Sequence, residues 1–375
     1  MMISTSKDQL IGFKTVKVHD KKLSKGLDWM LIGYLMIISM LSLLLMLSSD
    51  QGSWVFFQRQ IIRLCIGWTA FILISLTPPR YFKIAAWPSY IISIILLLMI
   101  LVIGHTGKGA QRWINLGFIK CEPSELLKVT LPLLLSYTLV QFPSPLTFKN
   151  FSIASMIIGL PVLLILKQPD LGTGLIITFS SLGVLGLYGI RKQVIISLIC
   201  LGTLFLPISW YGLHDYQQQR ILTLIQPNKD VQGKGYHIHQ SKIAIGSGGL
   251  YGKGFMKGSQ AHLGFLPEHH TDFIFALLAE EFGFFGCTMY LGIVCLLFRR
   301  LKNMVLSIKD YQHLLHGTAI MVLLFISHFI NIAMVCGFLP VVGVPLPLMS
   351  YGGTSSLITL VNLGILMAYY RHRNV

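Results

Sequence analysis

The chain has 375 residues, 54% of them hydrophobic and only 12% charged, with a formal net charge of +16. A soluble domain carries about twice that charged fraction. The basic residues fall in short clusters between apolar runs and not in one patch, which argues against a nucleic-acid partner and for a protein threaded through a membrane.

Residues 1–28 are polar and hold Lys7, Lys14, Lys17, Lys21, Lys22 and Lys25, a composition suited to lying on anionic lipid. Apolar runs follow at 29–48, 54–77, 84–103, 125–142, 152–167, 171–190, 193–211, 271–299, 314–339 and 351–370. Each approaches the roughly 20 residues that cross a hydrocarbon core, though the fifth and sixth are short and nearly continuous. The first run has no small-residue cleavage pattern behind it and reads as a retained helix, not a removed signal. Six cysteines, Cys65, Cys121, Cys200, Cys287, Cys295 and Cys336, show no paired spacing, so neither a disulfide framework nor a zinc site is expected.

The expected fold is an all-α polytopic membrane protein of about ten transmembrane helices. It is organised as a tail over 1–28, one transmembrane domain over 29–370 and a short tail over 371–375. Placing the N-terminus inside puts about 17 of the 30 basic residues into short inner segments. Both termini are therefore expected in the cytoplasm of a cell whose inner membrane holds the chain. The outer segment 212–270, about 59 residues long, is expected to fold over the membrane surface.

Four constellations lie at the outer side. The first is Gly109-Ala110-Gln111-Arg112-Trp113-Ile114-Asn115, followed by Glu122-Pro123-Ser124-Glu125-Leu126-Leu127-Lys128. Ser124 can cap a helix on which Glu125 and Lys128 share a face. Either the two form an ion pair that orders the helix start, or they line a polar wall where Arg112 meets a phosphate. Trp113 reads as an interfacial anchor unless a sugar lies beside it. The second runs from Gly235-Tyr236-His237-Ile238-His239-Gln240-Ser241 to Gly246-Ser247-Gly248-Gly249-Leu250-Tyr251-Gly252-Lys253-Gly254. It resembles a phosphate cradle without matching a Walker loop, because Ser247 stands at the first glycine position and Gly254 where Ser or Thr belongs. A glycine-punctuated turn explains it equally.

The third is Glu268-His269-His270-Thr271-Asp272, with Glu280 and Glu281 beyond, four of the chain's 14 acidic residues. If helical, Glu268 and Asp272 share a face, with Asp272 and Glu280 two turns apart. Clustered carboxylates at a membrane boundary raise one another's pKa and can hold one as a general base, or bind a divalent cation. Capping by Thr271 or Asp272 is the plainer account, but it leaves Glu280 and Glu281 unexplained. The fourth runs from Asn331 through Pro340, Pro345 and Pro347 to Ser350-Tyr351-Gly352-Gly353-Thr354-Ser355-Ser356. Apolar yet unable to be helical, it must be buried in protein or line a cavity.

This last segment resembles the signature of the SEDS family (shape, elongation, division and sporulation proteins). Arg112-Trp113-Ile114, Pro123 to Lys128, Gln168-Pro169-Asp170-Leu171-Gly172-Thr173, and Pro267-Glu268 through Asp272-Phe273 fit the same family in the same order. Gly235-Tyr236-His237 and Ala244 to Gly249 favour its elongation branch over its division branch, while Leu348 is neutral or slightly contrary. Ala333, Phe338, Val342, Thr354 and Glu122 depart mildly from the common pattern.

The resemblance implies a peptidoglycan glycosyltransferase polymerising lipid II at the outer face of the membrane during cell elongation and releasing undecaprenyl diphosphate. A class B penicillin-binding protein (a transpeptidase) and other elongation-complex membrane proteins are its implied partners, and a divalent cation, Mg or Mn, its implied cofactor. Asp272 matches the family's essential carboxylate. Arg112, Trp113, Glu125, Lys128, Gln240, Ser241, Lys253 and Glu268 are the expected substrate-binding residues. A division polymerase, a flippase for lipid-linked precursor, and a scaffold that only recruits a synthase are the competing readings. A flippase predicts ionisable residues through the bilayer and symmetric repeats; no convincing repeat is seen.

Overall fold

The computed structural model describes residues 26–49, 54–103, 105–107, 110–115, 120–168, 170–191, 193–194, 196–197, 234–266 and 268–373. Nine of the ten expected apolar runs are helices among these residues. They are α1 (Trp29–Ser49), α2 (Trp54–Leu76), α3 (Pro79–Ile103), α4 (Pro123–Leu139), α5 (Phe148–Lys167), α6 (Leu171–Tyr188), α9 (Ile274–Leu306), α10 (Tyr311–Val335) and α11 (Gly353–Arg371). Eight are long and apolar enough to cross a membrane; α4 has 17 residues. The tail before residue 26, almost all of the run 193–211 and the start of the long loop fall outside the described residues.

Two shorter helices lie in the described part of that loop, α7 (Lys234–Gly248) and α8 (Ser259–His262). The segment between α3 and α4 departs from the all-helical expectation. It forms a small antiparallel sheet in the order β1 (His105–Gly107), β2 (Ala110–Asn115), β3 (Lys120–Cys121). Strands arise here because the chain is short and turns back twice, so its backbone groups pair across the hairpins.

Helices α10 and α11 are the most enclosed of the spans, whereas α2, α3 and α5 keep broad apolar faces outward. Outward Ile62, Leu73, Ile84, Ile92, Met156 and Leu163 are what a lipid-facing surface requires, since no water drives them inward there. The centre is polar as well as apolar, with Gln168, Asp170, Glu280, His316, His328, Asn331 and Asn362 all buried. Many of these bond main-chain groups where helices begin or end, and there the site is built.

Helix α9 runs 33 residues but is broken at Gly283, which takes φ 64° and ψ −161°. The stretch after the break is about 35 Å long at 1.5 Å per residue, enough to span the hydrocarbon. The stretch before it, from Ile274, stands at the same end of the bundle as the start of α11 and the end of α10.

Candidate active site around Asp272

The segment carrying the acidic cluster is not a helix. Glu268 to Phe273 forms a tight turn and α9 begins only at Ile274, so Glu268 and Asp272 do not share a helical face. Glu268 adopts a left-handed φ of 58°. Its carbonyl accepts hydrogen bonds from the Thr271 and Phe273 amides at 3.0 and 3.3 Å, and its carboxylate from the Thr271 hydroxyl at 3.0 Å. Self-bonded in this way, the turn can place Asp272 ahead of the helix without belonging to it.

Three successive carbonyls of the turn are held from outside. The Tyr351 amide donates to His270 O at 2.8 Å, the Ser350 hydroxyl to Thr271 O at 2.5 Å, and the Asn331 amide group to Asp272 O at 2.9 Å. Asn331 also donates to Val344 O at 2.7 Å, and Ser350 accepts from the Leu346 amide at 2.8 Å. The proline-rich segment between α10 and α11 is therefore a clamp around the turn. Val342, Val344, Leu346, Leu348 and Met349 are buried in it, which satisfies the requirement that such backbone not face lipid.

The half-buried Asp272 carboxylate faces the Gly343 turn of this clamp, where a Cβ would stand 3.6 Å from its Oδ2. Helix α6 supports the clamp from behind: a Cβ at Gly172 would sit 2.7 Å from Val342 O, so only glycine permits this approach. Asp170 caps α6 through the Thr173 amide at 3.3 Å and accepts from Ser124 of α4 at 3.4 Å. The starts of α4, α6, α9 and α11 and the end of α10 are thereby joined through one loop.

The expected binding residues divide into two groups. Glu125 and Lys128 form an ion pair one turn apart, with both side chains buried, and the Lys128 carbonyl accepts from Asn362 of α11 at 3.2 Å. Trp113 is half-buried and pairs in register with His105; Arg112 lies in β2, but its side chain is outside the described residues. Gln240 is half-buried on α7. Ser241 is fully buried and donates to Val335 O at 2.7 Å, which gives it a role in docking α7 onto the end of α10.

Lys253 is committed elsewhere too. Its ammonium meets Glu280 at 2.6 Å and Ser259 at 2.7 Å, and Glu280 also accepts from the Gln260 amide at 3.0 Å. Glu280 and Glu281 are buried, and Glu281 accepts from Ser48 of α1. These two carboxylates pin the loop and α1 to α9, so they do not join Asp272 in an acidic rim. His269 likewise binds main chain, its Nε2 at 3.0 Å from Ser49 O and its Nδ1 at 2.9 Å from Leu266 O.

The glycine-rich stretch is a clasp, not a phosphate cradle. An unbroken helix would bond the Phe284 amide to Glu280 O and the Phe285 amide to Glu281 O. The break at Gly283 releases all four groups, and the loop takes them. Lys253 N donates to Glu280 O at 2.9 Å and Gly254 N to Glu281 O at 3.0 Å, while Gly249 O and Leu250 O accept from Phe284 and Phe285 at 2.9 and 3.1 Å. A Cβ on Gly252 would lie 2.0 Å from Glu281 O, which is why this position is glycine.

One cluster escaped the sequence reading. Arg63 of α2 sets its guanidinium 3.9 Å above the Tyr351 ring, and Phe56 packs on both Tyr351 and His270 at 4.9 and 4.8 Å. An arginine inside an apolar run was the available signal, since a charge at membrane depth usually marks a partner or a site. Its Nη1 is buried and has no hydrogen-bond partner among the described residues.

Residues 24–375 match the FtsW, RodA and SpoVE family of cell cycle proteins. The chain belongs to that family. It is 43% identical over 320 residues to the peptidoglycan glycosyltransferase MrdB of Escherichia coli (strain K12), covering 85% of this chain and 86% of the relative. The MrdB enzyme of Helicobacter pylori (strain ATCC 700392 / 26695) is 36% identical, over 92% and 91% of the two chains. A probable peptidoglycan glycosyltransferase FtsW of Trichlorobacter lovleyi is 32% identical over 89% and 88%. Among solved structures, a chain of a peptidoglycan synthase complex that coordinates polymerization and crosslinking superposes with a TM-score of 0.82 at 28% identity, covering 93% of this chain and 99% of that one. The rod shape determining protein RodA of Thermus thermophilus gives 0.72 at 28%, over 93% and 98%.

Proposed function

We propose that this chain, a multi-pass membrane peptidoglycan glycosyltransferase, joins lipid II units at the outer face of the cytoplasmic membrane with Asp272 as general base. The observation that carries this reading is the clamp: Tyr351, Ser350 and Asn331 donate to three consecutive main-chain carbonyls, the last of them that of Asp272, the residue that matches the family's essential carboxylate. Glu280 and Glu281 are held in structural contacts and Glu268 closes its own turn.

In this reaction the acceptor sugar hydroxyl passes its proton to the Asp272 carboxylate as its oxygen bonds the anomeric carbon of the donor. The bond from that carbon to the diphosphate oxygen breaks, and the lipid diphosphate leaves with the electron pair. One displacement inverts the anomeric centre, in keeping with a single assigned carboxylate. A base fixed through its own backbone loses little orientation in the transition state. Because Lys128 and Lys253 are neutralised by Glu125 and Glu280, cationic compensation for the leaving group falls to Arg63 and Arg112.

Among the described residues no three His, Cys, Asp or Glu side chains gather as a metal site. The donor chemistry suits Mg or Mn held by one carboxylate, Asp272 or Glu268, with substrate phosphate oxygens and water, as such ions commonly are. When bound, it would neutralise charge on the diphosphate. The elongation branch, a class B penicillin-binding protein as partner and cytoplasmic termini complete the reading. They are supported by the likeness to MrdB and to a synthase complex, and by the basic residues at the end of the bundle away from Asp272.

The test is purified protein, with and without its transpeptidase partner, given fluorescent lipid II and divalent cation. Glycan ladders support a polymerase. Transfer of lipid II across vesicles without ladders would replace this reading with a flippase, and neither product would leave a scaffold.

A further inference from the structure

A cavity of about 300 Å³ opens at the end of the bundle opposite Asp272, between the starts of α3 and α10 and the end of α11. Its polar lining is Arg80, Lys309, Asp310, His313, His372 and Arg373, three permanent cations and two imidazoles against one carboxylate. That volume is at the lower end of what small-ligand sites enclose. The proposed reaction uses none of these residues.

The lining is more ordered than loose basic residues at a membrane boundary need to be. Arg373 stacks its guanidinium 3.9 Å over Tyr370 and donates to Tyr370 O at 2.9 Å, which leaves most of its five donors for another partner. His313 stacks on Tyr369 at 4.4 Å, and His372 is fixed by Ala368 O at 2.9 Å. The one acid is already engaged: Asp310 caps α10 through the His313 amide at 2.9 Å. The first residues of α3, Pro79 and Arg80, also line the cavity and bring the positive end of a 25-residue helix to it.

We propose that this cavity is a binding site for a phosphate group, filled by the headgroup of an acidic phospholipid. A pre-ordered guanidinium, a lysine and a helix start match the charge and multiple acceptors of a phosphodiester. The cavity's place at the ends of membrane-crossing helices puts it at headgroup level, where such a lipid reaches it without leaving its leaflet. The inference does not rest on the polymerase reading.

The experiment is native mass spectrometry of the delipidated full-length protein, titrated with phosphatidylglycerol, phosphatidylcholine or inorganic phosphate. Phosphatidylglycerol should bind at least about tenfold more tightly than phosphatidylcholine, which is the size of one charge-assisted contact. Lys309→Glu, at the exposed rim, and Arg373→Gln should each remove most of that preference. Lys149→Glu, exposed on the same end outside the cavity, should leave it intact. Displacement of the lipid by millimolar phosphate supports the phosphate chemistry and names a soluble anion as the ligand. Equal affinity for the two lipids, or equal loss in Lys149→Glu, overturns the site in favour of diffuse basic charge.

Discussion

Asn331 holds the main-chain carbonyl of Asp272 at 2.9 Å and that of Val344 at 2.7 Å with one amide group. A residue at the end of one helix thus fixes the start of another to the loop between α10 and α11. Asn331→Ala removes both bonds and leaves two enclosed carbonyls, at about 1–3 kcal/mol each. Since displacement by about 1 Å can cost about 100-fold in rate, kcat should fall on that order while KM stays near its original value. Steady-state polymerisation over a range of lipid II concentrations separates the two.

The buried pair Glu125–Lys128 should behave as a structural unit. Removing either partner strands a charge away from water, which costs about 3–5 kcal/mol. Glu125→Ala and Lys128→Ala should both lower the thermal unfolding temperature and the activity. The exchanged pair Glu125→Lys with Lys128→Glu should restore both, whereas recovery of stability without activity would show that the lysine also touches substrate.

Lys253 poses the same question on the other side of the site. Lys253→Met exposes the fully buried Glu280 carboxylate to an apolar neighbour and should destabilise the protein. Adding Glu280→Gln removes that charge and should recover part of the loss, a coupling that a double-mutant cycle of unfolding midpoints measures directly. Independent, additive losses would return Lys253 to the substrate.

The sequence made the spans, the gathering of polar motifs between them and the non-helical proline segment readable, because apolar length and proline positions act locally. It also singled out Asp272 as a candidate, through the order of motifs. The turn at 268–273 was not readable: the spacing of Glu268 and Asp272 fits a helix as well as a turn, and only the clamp from Asn331, Ser350 and Tyr351 decides between them. Lys253 and Ser241 drew notice as polar residues in the long loop, yet their partners, Glu280 and Val335 O, are distant in sequence. The loop's glycines likewise look like a phosphate cradle until the break at Gly283 supplies the groups they bond.

That account of the glycines makes a sharp contrast between neighbours. Gly252→Ala drives a Cβ into Glu281 O and demands a residue at φ 80°, so folded protein should be lost, by about 2 kcal/mol or more. Gly246→Ala meets nothing within 4 Å inside helix α7 and should be neutral or stabilising by up to about 1 kcal/mol. Fluorescence-detected size exclusion after heating would rank the two; a phosphate cradle would instead show normal folding with weakened substrate binding in both.

The central claim is that the carboxylate of Asp272 takes the proton. Asp272→Asn keeps the size of the side chain, and Asn331 still holds its carbonyl, so fold and lipid II binding should persist. The rate of glycan bond formation in a single turnover should fall by a factor of about 10²–10⁴, the usual contribution of a positioned base. Glycan formed by Asp272→Asn at the rate of the unaltered protein would contradict the account.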